Sequence, residues 1–285
     1  MNRWDKAVME SCRAREVLGW RVKSGVGIWE PETLVLPASV VCAFSSRQGG
    51  VSGGPYTSLN LGLHVGDRPE DVVTNRRRFS EALGIDLESW VAGSQVHGKD
   101  VAVVGRKDRG RGALSQDTAL PALDGLVTNE PGVWLTSYYA DCVPLLFWDV
   151  HGRAVGVAHA GWRGTLAQVG LQVVVKMAEA FGSDPGEIHV LVGPAIGSCC
   201  YSVGEELADA FEKEFGREPL IRRQGRTYLD LKLANREYLV RGGIPPDQIY
   251  LSTLCTSCLP GVFFSHRRDK SPTGRMAAVI GLRKP

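Results

Sequence analysis

Residues 143–148 and 154–159 form two strongly apolar runs on either side of a short turn, Val150-His151-Gly152-Arg153. Runs of this length around a glycine-containing turn predict a β-hairpin. The prediction constrains the rest of the chain because both ends of the hairpin carry chemistry. Cys142 opens the first strand and His159 closes the second. If the strands pair, a thiol and an imidazole meet at the same end of one sheet.

The remaining elements alternate irregularly. Residues 33–44 read as two short strands around Pro37. Pro69–Leu83 reads as a helix, with proline and acidic residues in its first turn and Val72, Val73, Phe79 and Leu83 on one face. Short strands are expected at 90–92, 101–104, 125–128 and 133–137, and a long helix at 165–181. A buried strand at 187–192 and helices at 205–215 and 231–240 follow, with Asp230 as a cap for the latter. Strands at 249–252 and 276–282 end the pattern. Hairpin-like pairs mixed with helices predict an α/β (α+β) fold, a single domain with mixed β-sheets flanked by helices; strict βαβ alternation would predict a parallel doubly wound sheet. Residues 1–31 are expected to be an N-terminal extension and 32–285 the domain. Charges interrupt residues 1–21 every few positions, so that segment reads as an amphipathic helix or loose extension rather than a signal peptide.

Composition narrows the partners. The net charge is +2, which offers no electrostatic footprint for nucleic acid or anionic lipid, so a small-molecule substrate is expected. The most apolar stretch, 133–150, is broken by Asp141 and Pro144 and is too short to span a membrane. Seven cysteines, an odd number, do not suggest a secreted disulfide framework, and a reducing cytoplasmic location is the consistent expectation. No GxGxxG follows a strand and no GxxxxGK[ST] is present, so no nucleotide-binding motif is available.

Three segments put a metal-capable residue at a strand end among small residues: Gly93-Ser94-Gln95-Val96-His97-Gly98, Tyr139-Ala140-Asp141-Cys142-Val143-Pro144 and Ala158-His159-Ala160-Gly161-Trp162-Arg163-Gly164. Two imidazoles and a thiolate suit Zn²⁺, and three protein ligands leave a fourth tetrahedral position open, as at a catalytic zinc. Cu²⁺ would also bind such ligands. The same residues allow a metal-free reading, with Cys142 as nucleophile, His159 as base and Asp141 or Asp124 orienting the imidazole. They also allow a bland one, in which each is an ordinary buried side chain. Cys255-Thr256-Ser257-Cys258 has CxxC spacing, but adjacent Cys199 and Cys200 look poorly placed to complete a zinc site. Arg47, beside a glycine loop, and Arg163, near His159, are the phosphate candidates. Asn60 and His64 lie in the same glycine-containing region as Arg47. The basic stretch 265–269, with 273–275 after it, is either a solvated loop or an anion contact. His151 and His189 read as surface or structural residues.

In combination these segments resemble the laccase-domain family, also called multicopper polyphenol oxidoreductases, which includes the peptidoglycan editing factor. The resemblance runs from about Phe44 to the C-terminus and covers SRQGGVSGGPYTSLNLGLHVGD, NRRRF, SQVHG, DGLVT, ADCVP, HAGWRGT, GPAIGSCCYSVGEE and FFSHRRD followed by TGR. It implies a single α/β domain related to thiol deamidases of the cytotoxic necrotizing factor type. It also implies a zinc-dependent enzyme that phosphorolyses adenosine, inosine and methylthioadenosine and deaminates adenosine, with His97, Cys142 and His159 as the metal ligands. Asp124 and Asp141 are the acid–base candidates. The implied partners are a purine nucleoside and phosphate, and the implied assembly is a monomer or homodimer. An amidase that edits muropeptide precursors through Cys142 and His159, and a non-enzymatic binding module stabilised by zinc, are the alternatives. The chain departs from the family pattern at His266, where tyrosine is expected, and at Ser202, where glutamate is expected. The laccase name itself finds no chemical support: the six histidines include no HxH pair, and no methionine adjoins a ligand motif.

Overall fold

A computed structural model describes residues 16–283. The segment 1–21, read as an amphipathic helix or loose extension, therefore falls largely outside the described residues. From Leu18 onward the chain forms a hairpin, β1 (Leu18–Lys23) with β2 (Val26–Pro31), and β2 pairs antiparallel with β3 (Val40–Ser45). The stretch expected to be an extension thus adds two strands to the domain's first sheet, and Leu18 and Trp29 enter its core. Residues 33–39 are not strands. Pro37 has no N–H for a ladder, and its carbonyl instead closes a turn onto Val40 N at 2.9 Å.

Next come α1 (Pro69–Leu83), β4 (Trp90–Ala92), β5 (Val101–Val103), β6 (Gly125–Thr128) and β7 (Trp134–Tyr139). The predicted hairpin is β8 (Val143–Asp149) with β9 (Val155–Ala160), and its register sets Pro144 opposite His159. The expected helix at 165–181 is two helices, α2 (Trp162–Leu166) and α3 (Val169–Phe181). Gln168 breaks them in a left-handed conformation with φ of 56°, and its amide donates to Glu214 at 2.7 Å. β10 (Ile188–Val192), β11 (Ser202–Val203), α4 (Glu205–Phe215), β12 (Leu220–Arg223) and β13 (Arg226–Leu229) follow. The last elements are α5 (Leu231–Arg241), β14 (Ile249–Leu251), α6 (His266–Asp269) and β15 (Met276–Leu282). Asp230 caps α5 as expected, accepting from Leu233 N at 3.0 Å.

The strands make two six-stranded mixed sheets, β1-β2-β3-β15-β7-β4 and β14-β10-β8-β9-β6-β5, and a small antiparallel sheet β11-β13-β12. Sequence reasoning missed the small sheet because β12 is arginine-rich and exposed, with no apolar alternation to mark it. The strand period of two explains the packing of the large sheets. Leu146, Trp148, Val155 and Val157 point one way and meet Phe44, Leu135, Ala278 and Ile280 of the first sheet. Leu145, Phe147 and Ala158 point the other way onto α3, α4 and α5. In the first sheet, Ala43, Trp134, Ala277 and Val279 face outward under Phe79, Ala82 and Leu83 of α1. Strands buried on both faces read as continuous apolar runs, which is why the hairpin was so legible. Among the described residues no helix is long and apolar enough to cross a membrane.

Arg76 on α1 is fully buried without a carboxylate. Its guanidinium donates to the carbonyls of Leu61, Gly112 and Ala113 at 2.6–2.8 Å and lies 4.5 Å over the Tyr138 ring. It joins the loop before α1 to the loop after β5. Arg76→Ala leaves three buried carbonyls unpaired and a cavity. Urea denaturation should read a loss on the order of 3 kcal/mol, and an unchanged midpoint would contradict this role.

Candidate metal centre and active site

Three loops at one end of the two large sheets meet at a single point. The first carries His97. Gln95 replaces a missing strand partner at the end of β7, donating to Tyr138 O at 2.9 Å and accepting from Tyr138 N at 2.8 Å. The loop then turns sharply, with His97 left-handed at φ 62°. That turn aims three consecutive amides at one carboxylate: Val96 N and Gly98 N donate to Asp124 Oδ2 at 3.1 and 2.7 Å, and His97 N to Oδ1 at 3.1 Å. Successive backbone N–H groups of this kind make an anion-binding concavity.

The second and third loops are the two ends of the β8–β9 hairpin. His159 is buried on β9, with Nδ1 2.8 Å from Asp124 Oδ1 and its backbone N donating to Asp124 O at 2.8 Å. This contact leaves Nε2 free to face the cluster. The ligand atoms of His97, Cys142 and His159 all lie within 4.8 Å of one another. His97 is on the solvent side, Cys142 is half-buried and His159 is buried, so the cluster opens toward water past His97. Gly161 flanks it. A Cβ there would fall 2.9 Å from His97 Cδ2 and 3.0 Å from Cys142 Sγ, so any side chain would fill the space.

The electrostatics suit a ligand set. Burial alone would raise the Cys142 thiol, but the charge of His159 and hydrogen bonds from both histidines bring it down to about 6. Burial would lower the His159 pKa, but the Cys142 charge and the Asp124 hydrogen bond lift it to about 9. Each of the two groups thus favours the charged form of the other. Asp124 resists desolvation through its His159 and backbone hydrogen bonds and stays below the usual carboxylate range. The donor set and the small-residue cradle therefore fit a tetrahedral cation such as zinc, with His97, Cys142 and His159 as ligands and Asp124 behind His159.

Asp141, next to Cys142, is equally committed. It is left-handed at φ 92°, and its carboxylate accepts from Thr256 Oγ1 at 2.6 Å, Ser265 Oγ at 3.0 Å and Arg267 N at 2.7 Å. Its backbone oxygen accepts from Ile196 N at 3.0 Å. It ties two distant loops to the turn that presents Cys142. Asn60 is buried with its amide saturated: Nδ2 donates to Gly62 O and Asp67 Oδ2, and Oδ1 accepts from Gly62 N and Arg275 N. It shapes a loop and leaves no donor or acceptor for a substrate.

His64 and Arg275 both crowd Gly62, where an added Cβ would sit 2.8 Å from Arg275 Cγ and 3.4 Å from His64 Cε1. Burial, then the charges of Arg275 and Arg76, brings the His64 imidazole down to about 4, so it is neutral at neutral pH. Burial lowers the Arg275 pKa, partly offset by the negative charges of Cys142 and Asp141. Arg47 spends Nε on Thr57 O at 2.8 Å and Nη1 on Pro260 O at 3.0 Å, and stacks over Phe264 at 4.4 Å. Arg163 is exposed and lies over Trp162 at 4.3 Å. His151 is at the surface, 3.4 Å from Glu187, and His189 packs in a three-ring cluster with Trp148 and Tyr250, as expected of surface and structural residues.

Sequence reasoning did not single out Tyr201. Burial and the charge of Cys142 push its phenol up to about 12, and Arg267 lies over its ring at 4.7 Å. Its signal was the aromatic residue after the paired cysteines. Arg275 was noticed only as part of a basic stretch, because nothing in its spacing ties it to Cys142. His266, the departure from the expected tyrosine, is exposed at the start of α6, and Ser202 accepts from Arg267 through its backbone oxygen at 2.8 Å.

A family model described as multi-copper polyphenol oxidoreductase laccase matches residues 41–283. The purine nucleoside phosphorylase YlmD of Geobacillus stearothermophilus is 47% identical over 251 residues, covering 87% of this chain and 92% of that protein. The purine nucleoside phosphorylase YlmD of Bacillus subtilis is 44% identical over 248 residues, covering 86% and 89%. The crystal structure of YlmD from Geobacillus stearothermophilus matches with a TM-score of 0.89 at 43% identity, over 94% of this chain and 100% of that one. That likeness extends over the mixed α/β domain as a whole. The chain belongs to the multi-copper polyphenol oxidoreductase laccase family.

Proposed function

We propose that this protein is a zinc-dependent purine nucleoside phosphorylase, acting on adenosine, inosine and methylthioadenosine, with adenosine deaminase activity and a cytoplasmic location. The observation that carries the reading is the convergence of His97, Cys142 and His159 around Asp124. The names of the relatives, purine nucleoside phosphorylases at 44–47% identity, supply the substrate class. A zinc held by these three residues would supply Lewis acidity and lower the pKa of water to about 7 at the open position.

The chain's own groups have separable tasks. In phosphorolysis a phosphate oxygen attacks the ribose anomeric carbon, the glycosidic C–N bond breaks, and the purine leaves with a proton. Phosphate needs cationic donors, and Arg275 keeps Nε and Nη2 for it after Nη1 caps the Thr273 and Gly274 carbonyls. Neutral His64, which also borders Gly62, adds one imidazole N–H. Arg163 remains free to reach a ligand, whereas Arg47 has committed two of its donors. Tyr201, whose phenol is kept protonated by burial and the charge of Cys142, is the group we propose as proton donor to the leaving purine. Asp124 and Asp141 serve as positioning residues, since their carboxylates are taken up by protein donors. Asn60 positions Arg275.

One observation favours a second reading. The buried Cys142–His159 pair backed by Asp124 is also the arrangement of a thiol hydrolase, with the relation to thiol deamidases and to an amidase acting on muropeptides that this would entail. Chelation separates the two. The proposed enzyme converts adenosine and phosphate to adenine and ribose 1-phosphate, and inosine to hypoxanthine; chelator and His97→Ala each abolish turnover, and zinc restores it to the chelated enzyme. Turnover that survives chelation but not alkylation of Cys142 would give the site to the thiol mechanism.

Asp124→Asn tests the positioning role. The amide keeps the shape but loses the negative charge that holds the His159 ring and accepts three backbone N–H groups. Zinc affinity should fall about 10–100-fold with the folded circular dichroism spectrum retained. Unchanged affinity would remove Asp124 from the site's architecture.

A further inference from the structure

Four cysteines outside that site converge on a second point. β10 and β14 are parallel neighbours, so the loops after them leave the sheet at the same end, and a further parallel bridge joins Ala195 to Cys255. The first loop carries Cys199 and Cys200, the second Cys255 and Cys258. The sequence suggested that adjacent Cys199 and Cys200 are poorly placed to chelate. The structure corrects this: a tight turn, closed by Cys200 N and Tyr201 N on Gly197 O, brings each thiol 3.4 Å from Cys258 Sγ. All four sulfur atoms lie within 4.8 Å of one another. With Zn–S bonds of about 2.3 Å, the edge of a zinc tetrathiolate tetrahedron is about 3.8 Å, so this cluster is of the right size.

We propose that Cys199, Cys200, Cys255 and Cys258 bind a zinc ion in a closed, all-thiolate structural site, separate from the His97–Cys142–His159 centre. The surroundings are built for a charged cluster. Gly197 N donates to Cys255 Sγ at 3.2 Å, and a side chain at Gly197 would crowd Cys199 Sγ at 3.1 Å. Three cations are fixed around it through the backbone carbonyls of the same loops. Arg223 donates to Ser198 O and Cys199 O, buried Lys232 to Ser252 O and Leu254 O, and Arg268 to Thr256 O and Ser257 O. Four thiolates around a divalent ion leave two negative charges, which these cations offset. Four protein ligands leave no position for substrate, so the role is structural.

That role reaches the first centre. Thr256, between Cys255 and Cys258, and Ser265 and Arg267 beyond them hold Asp141, whose neighbour is Cys142. The second zinc thus pins the loops that fix the turn presenting a ligand of the first.

The test does not depend on the catalytic reading. Cys142→Ala/His159→Ala empties the first centre; this variant, purified anaerobically without added metal, should retain one zinc per chain. A mercurial thiol reagent should release that zinc, and cobalt in its place should show the intense thiolate-to-metal charge-transfer band of a tetrathiolate. No retained metal after zinc is resupplied, or mass-spectrometric detection of the four cysteines as disulfides, would overturn the proposal. In the otherwise intact chain, Cys258→Ser should lose one zinc equivalent and lower the Tm, and unchanged zinc content would count against the site. If that variant does not fold, the metal content of the first one still decides.

Discussion

The carboxylate of Asp124 is the interaction on which the candidate active site depends. It is buried, yet it stays charged because four groups converge on it: three backbone N–H groups of residues 96–98 and the Nδ1 of His159. A buried carboxylate is costly unless its acceptor capacity is filled, and here filling it does the positioning. The same contacts that satisfy Asp124 force His97 into a left-handed turn and set the tautomer and plane of His159. A histidine ligand oriented through its other ring nitrogen by a carboxylate is a recurrent device for tuning metal sites. Two of the three proposed ligands therefore depend on one residue whose carboxylate is taken up by protein donors.

The third proposed ligand depends on a parallel device. Asp141 is also buried and saturated, and its partners come from residues 196, 256, 265 and 267. The two aspartates divide the work: one fixes the histidines, the other fixes the turn that carries Cys142. Both rest on the face-to-face sheets, since β6 begins one residue after Asp124 and pairs with β9, and the β8–β9 register sets Val143, next to Cys142, opposite Ala160. The stacked sheets supply rigidity, and the loops at their ends supply chemistry.

What the sequence revealed follows from which forces act locally. Helix α1, with its proline start and apolar stripe, and the β8–β9 hairpin are encoded over a few residues, and both stand where expected. The Cys142–His159 meeting followed from strand lengths alone, whereas no local pattern brought His97 to them, because Gln95 and Asp124 place it by contacts 43 and 28 or 27 residues apart. The β1–β2 hairpin was hidden by charges on its exposed edge strand, and the Gln168 break by an otherwise continuous helical pattern. Asp124 and Asp141 were picked out as acid–base candidates on residue type; only the count of their hydrogen bonds argues for positioning. Cys199 and Cys200 looked incompatible with chelation because the turn that aligns them is set by parallel strands far away in sequence.

The central claim is that Asp124 organises a three-ligand metal centre with an open position. Anomalous diffraction at the zinc edge, from crystals of the protein as isolated, tests it most directly. The account predicts a peak about 2.0–2.3 Å from His97 Nε2, Cys142 Sγ and His159 Nε2, with the fourth position taken by a non-protein ligand. No peak there while zinc is present in the crystal, or a fourth protein side chain closing the coordination sphere, would contradict it.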